Sequence, residues 1–242
     1  MRQWLLYISL SVGLCISCNE GKHPDSFLLV IAKDVSDTGI TSISREDLLG
    51  LYRKHADIWG GHVFRLRILR DIDKGKTRVI ELFEASSEST TLSKRISSFN
   101  AFVDSSAGCM SFGSKCELEH SILWRPIAEE LNLMATMKQT KRLLIINSNL
   151  MENSDVFSFL SARDLDTLLH HPEIVRERFL CKIPLLNLRG IEIHICHTPT
   201  EGENIQFRAW RDLYISIFTK AGATVTYGDL TEIGLAKSQT SI

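Results

Sequence analysis

A chain of 242 residues, 44% hydrophobic and 24% charged, can bury one large core or two small ones without metal or disulfide staples. Its formal net charge of −1 excludes a global field that would draw it to nucleic acid or to an anionic membrane. The absence of any polybasic block, heptad run or internal repeat sets aside basic tails, coiled coils and solenoids.

In chain order, Arg2 precedes the uncharged run WLLYISLSVGLCIS, too short and too weakly flanked for a spanning helix. A basic start, a short apolar centre and small residues describe a secretory signal. The run ends in CISC, with Ser17 before Cys18 and the polar NEGKHPD after it. This resembles the lipobox of bacterial lipoproteins, with Cys15 where that pattern usually carries Leu. The resemblance implies a signal over residues 1–17, lipidation of Cys18, a tether over 18–25 and a membrane-anchored protein of the bacterial cell envelope. Plain secretion, periplasmic release and a retained anchor stand as alternatives. Export permits disulfides. Cys109 and Cys116 share a Gly/Ser-rich loop where a bridge can form, while Cys196 in IEIHIC reads as a small buried hydrophobe.

The run 26–34 reads as a strand buried on both faces. Residues 44–59 open with Ser44 and Asp47 three places on, close to a capping box, and form a helix stopped by Gly60 and Gly61. Residues 62–71 and 78–84 pair as a hairpin across DKGKT. Residues 86–107 form a polar helix with Leu92, Ile96, Phe99 and Phe102 on one face, and 105–120 are a loop. Residues 121–137 are a helix that tolerates Pro126 only near its first turn. A second buried strand over 141–149 follows, then one or two helices over 161–180 broken at HHP. A strand over 189–198, a helix over 204–223 closed by Gly222 and a strand over 224–230 complete the pattern. Trp124 and Trp210 fall at core positions, and His170 and His171 read as surface residues. His194 and His197 cannot share a strand face.

This alternation predicts one α/β domain over 26–232 followed by a polar tail over 233–242. Its fold class is three-layer and doubly wound, with a mostly parallel six-stranded sheet and one antiparallel edge strand. In open sheets of this kind ligands bind beyond the carboxyl ends of the strands, near the topological switch point. There the first strand ends in DVSDT, where Asp34, Ser36 and Thr38 stand at alternate positions. Their oxygens are hard ligands suited to Mg²⁺ or Ca²⁺, and an extended loop aims alternate residues to one side. The competing reading is a loop closed by Asx and Ser/Thr turns.

D-x-S-x-T after a buried first strand resembles the metal-ion-dependent adhesion site of von Willebrand factor type A domains, and the element order is similar over nearly the whole mature chain. The resemblance implies a cation held by Asp34, Ser36 and Thr38, with a second-loop hydroxyl from Ser121 or its substitute Ser114. The third-loop acid of the family falls on Asn149, which lowers the negative charge of the site. A protein partner that supplies an acidic residue would complete the cation's shell. The expected function is an exported, lipid-anchored protein-binding module dependent on Mg²⁺ or Ca²⁺, with no nucleic-acid partner and no catalysis. One alternative is a haloacid-dehalogenase-like phosphatase, with Asp34 as nucleophile and an acidic partner in GDLTE (228–232); Ser36 stands where its general acid-base belongs. The other is a structural envelope protein with a metal-free site.

Overall fold

The computed structural model describes residues 24–36, 43–69, 77–85, 90–111, 121–197 and 204–228, with no account of the side chains of 204–206. Strand β1 (Phe27–Asp34) lies at the centre because nearly every residue in it is apolar, so both its faces must be covered. Parallel to it run β2 (His62–Leu69) on one side and β4 (Lys141–Asn147) on the other. β5 (Ile191–Cys196) and β6 (Thr224–Tyr227) extend the sheet beyond β4, and β3 (Thr77–Leu82) closes the other edge antiparallel to β2. The order is β3-β2-β1-β4-β5-β6. After β1 the chain builds leftward through β2 and β3, then returns to build rightward from β4. The switch point is therefore the boundary between β1 and β4, where Lys33 is in register with Asn147.

Side chains alternate across this sheet, so odd and even residues of β1 belong to different cores. Leu28, Val30 and Ala32 join Leu144 and Ile146 under α3 (Trp124–Thr136), α5 (Pro172–Lys182) and α6 (Asn204–Lys220). Phe27, Leu29 and Ile31 join Leu143 and Ile145 under α1 (Arg45–His55) and α2 (Leu92–Met110). Helix α4 (Ala162–His170) adds Leu168 to the first core. Helices on both faces of one mostly parallel sheet make the three layers expected from the alternation. Trp124 and Trp210 are fully buried, whereas His170 and His171 are exposed where Pro172 starts α5.

Two local expectations need correction. Helix α1 stops at His55, before the glycine pair, because the Asp57 side chain and carbonyl turn the chain by accepting from the Trp59 and Gly60 N–H groups. The glycine at 60 is needed for another reason: a Cβ there would meet the Asp25 carbonyl oxygen at 2.0 Å. Helix α2 begins at Leu92, capped by Thr91, and runs on to Met110. Its buried face includes Phe99, Phe102, Val103 and Ser106, while Leu92 and Ile96 are exposed. The place expected for Ile96 is taken by Arg95, 3% exposed, whose guanidinium donates to the carbonyls of Ile58, Phe83 and Gly60. A long cation that satisfies loop carbonyls outcompetes a β-branched side chain there, because unpaired buried carbonyls are costly.

Candidate functional site

The carboxyl ends of β1 and β4 place Asp34 beside Ser148. Asp34 is 2% exposed, a burial a carboxylate tolerates only when its oxygens are engaged. Its Oδ1 accepts from the Ser36 backbone N–H at 2.9 Å and from Ser36 Oγ at 2.6 Å. Its Oδ2 accepts from Ser148 Oγ at 2.6 Å. The Ser36 backbone bond is the Asx turn of the competing reading. A turn alone, however, needs neither of the contacts that arrive from distant segments. Ser36 Oγ stands 3.2 Å from Ser121 Oγ, across 85 residues of chain, and Ser148 reaches Asp34 across 114. The Lys33 Nζ donates to the Met110 carbonyl at the end of α2.

Ser121 is held by its backbone rather than by helix α3. Its N–H donates to the Asn153 carbonyl at 3.3 Å and its carbonyl accepts from the Asn153 N–H at 2.8 Å. That bridge excludes Ser121 from the helix, which begins at Trp124, so the expected opening at 121 is corrected by three residues. Leu123, at the N-cap, offers no side-chain acceptor. The cap comes instead from Glu152, whose Oε2 accepts from the N–H groups of Leu123 at 2.9 Å and Trp124 at 2.8 Å. Glu152 is 1% exposed, and burial pushes its pKa up to about 7.

Of the residues singled out from the sequence, the structure brings Asp34, Ser36 and Ser121 to one rim. Thr38, Ser114, Cys18 and Cys116 lie outside the described residues, as does the GDLTE segment past Gly228. Asn149 is 6% exposed on the same loop, and its Oδ1 accepts from the Met151 N–H at 3.0 Å. Its neighbour Ser148 makes the contact to Asp34. Cys109 is a free buried thiol, and Cys196 is buried as expected. Sequence reasoning missed Ser148 and Glu152. No sequence signal pointed to Glu152, because Ser121 offers a helix-starting hydroxyl and only the structure makes Leu123 the N-cap.

The rim offers one carboxylate and three hydroxyls, all hard oxygen donors. Among the described residues no group of three His, Cys, Asp or Glu side chains is placed to hold a metal. A cation here would rest on hydroxyls and on few charges, which suits Mg²⁺ or Ca²⁺ far better than zinc.

No family model matches the chain, and no curated protein matches it. Among solved structures, a mutant of the PilB minor pilin from Streptococcus sanguinis is similar at 9% identity and a TM-score of 0.43. The match covers 91% of this chain and 62% of that one, so the chain spans less than two thirds of the pilin's length. At that identity and TM-score the likeness bears on neither family nor function. Among the described residues no helix is long and apolar enough to cross a membrane.

Proposed function

We propose that this chain is an exported, lipid-anchored protein-binding module with a von Willebrand factor type A-like domain. Its binding face is the rim at the carboxyl ends of β1 and β4, and it engages its partner through Mg²⁺ or Ca²⁺. The observation that carries this reading is the approach of Ser36 Oγ and Ser121 Oγ to 3.2 Å beside the Asp34 carboxylate. The sheet order and the antiparallel third strand support it as well. Asp34, Ser36 and Ser121 would hold the cation, and Thr38 would add a fourth oxygen. The bound cation supplies a positive point to which a partner's carboxylate binds. Ser148 engages Asp34 Oδ2 and Ser36 engages Oδ1, so on cation binding the Ser36 hydroxyl would turn its proton away and share the ion with Oδ1. The lipid at Cys18 would hold the module at a membrane surface and leave this rim free to meet a protein.

Calorimetric titration with Mg²⁺ is expected to give saturable binding to the wild type, weakened at least about tenfold in Asp34→Asn. Wild type that binds no divalent cation would leave only a metal-free module. Binding that survives unchanged in Asp34→Asn would move the ion elsewhere.

A further inference from the structure

Glu152 and Asn153 are adjacent, and together they hold the start of α3 from the neighbouring loop. Asn153 fixes Ser121 by two backbone bonds, and Glu152 caps Leu123 and Trp124. Cross-loop capping therefore decides where Ser121 Oγ stands relative to Ser36. The cap alone does not need a charge, because the amide oxygen of a glutamine accepts the same two N–H groups. A carboxylate is the costlier choice in this place. Burial disfavours its ionised form, and Asp155 on the same loop adds to that; the Ser154 hydroxyl and the two capped N–H groups oppose it. From α6 the Tyr214 hydroxyl lies within electrostatic reach of both Glu152 and Asp34. Burial first, and then both negative charges, push its pKa well up. Asp34 is 2% exposed and Glu152 1%, and Ser121 joins their segments, touching Ser36 on one side and Asn153 on the other.

We propose that Glu152 is a positioning residue for the rim: it sets Ser121 against Ser36, and it supplies the second negative charge that Asn149 cannot. This inference rests on the cation-binding reading of the rim. It gives the carboxylate a role that a neutral acceptor, which would cap the helix at lower cost, could not fill. The ionised carboxylate acts on a bound cation through space, without touching it.

The test uses the full chain in detergent, with Mn²⁺ as the probe at pH 8. Mn²⁺ affinity and the chelator-treated Tm are measured for wild type, Asp34→Asn, Glu152→Gln and Glu152→Asp. Glu152→Gln keeps the cap and drops the charge, so its Tm holds or rises while Mn²⁺ affinity falls about tenfold. Glu152→Asp keeps the charge at shorter reach, so its Tm falls while it retains more affinity than Glu152→Gln. A purely structural Glu152 gives the reverse order, with affinity tracking Tm. That order, or wild-type affinity in Glu152→Gln beside a dead Asp34→Asn, overturns the inference and leaves the cation reading standing. Wild type that binds no Mn²⁺ overturns both.

Discussion

Replacing Trp210 with alanine is expected to destabilise the domain by about 4 kcal/mol, among the largest losses that truncating one buried side chain causes. The indole is fully buried and sits in an aromatic stack that ties α6 to α5 and to the β4–α4 loop. Its ring meets Phe157 edge-on at 4.6 Å, lies parallel to Phe179 at 6.3 Å and contacts Tyr214 at 6.2 Å. Trp124 continues the stack on Phe179 at 5.2 Å, so the same cluster backs the helix behind Ser121. Alanine removes the transfer free energy of the ring and leaves a cavity that rigid strands on one side cannot fill. In a domain of this size the loss lowers Tm by about 10 °C. No acceptor among the described residues takes the Trp210 N–H, so phenylalanine should recover most of the loss, to within about 1 kcal/mol. Chemical denaturation of the two variants checks both values. A loss below about 1 kcal/mol for alanine would show that the stack is not part of the cooperative core.

The second large effect is on pH. Glu152 has a folded-state pKa near 7 against an ordinary 4.5, raised chiefly by burial. A raised acid contributes stability that is complete below 4.5 and is lost as pH climbs through 7. The loss from this residue amounts to roughly 3 kcal/mol between about pH 4.5 and 8. His62 opposes it. Burial among Tyr52, Phe99 and Phe102, with repulsion from Arg95, pushes its pKa down to about 4, while Asp57 pulls it up. A depressed histidine contributes stability present above 6.5 and lost as pH falls toward 4. In the window between, Glu152 and His62 contribute opposite slopes to wild-type stability. Glu152→Gln is expected to remove one of them, so its stability relative to wild type grows by roughly 3 kcal/mol from about pH 4.5 to 8. His62→Leu removes the other, so its stability relative to wild type falls as pH rises from about 4.5 to 6.5. Parallel pH profiles for Glu152→Gln and wild type would mean that Glu152 keeps an ordinary acidity despite its burial.

Much of this arrangement was legible in the residue order. A wholly apolar first strand must be central, and the run 26–34 announced it. The Ser44–Asp47 pair marked the start of α1, and the capping box forms with both reciprocal bonds. HHP marked the break between α4 and α5. What remained hidden depended on partners far away in sequence. Arg95 looks like a surface residue on any helical wheel; only the carbonyls of Ile58, Gly60 and Phe83, placed by another loop, make its burial favourable. Ser121 has a good helix-starting side chain, but its backbone is committed to Asn153. Ser148 carries no motif, and its bond to Asp34 arises from the parallel register of β1 and β4. Local patterning thus placed the elements and the first rim residues, whereas the second layer came from contacts between loops.

Whether Asp34, Ser36 and Ser121 form one cation site is tested most directly by anomalous diffraction from crystals grown with Mn²⁺. The expected result is a single strong peak about 2.2 Å from directly bound oxygens of Asp34, Ser36 or Ser121, and about 4 Å from any of these that binds through one water. A peak at another place, or none at saturating Mn²⁺ with the rim hydrogen bonds intact, would contradict it.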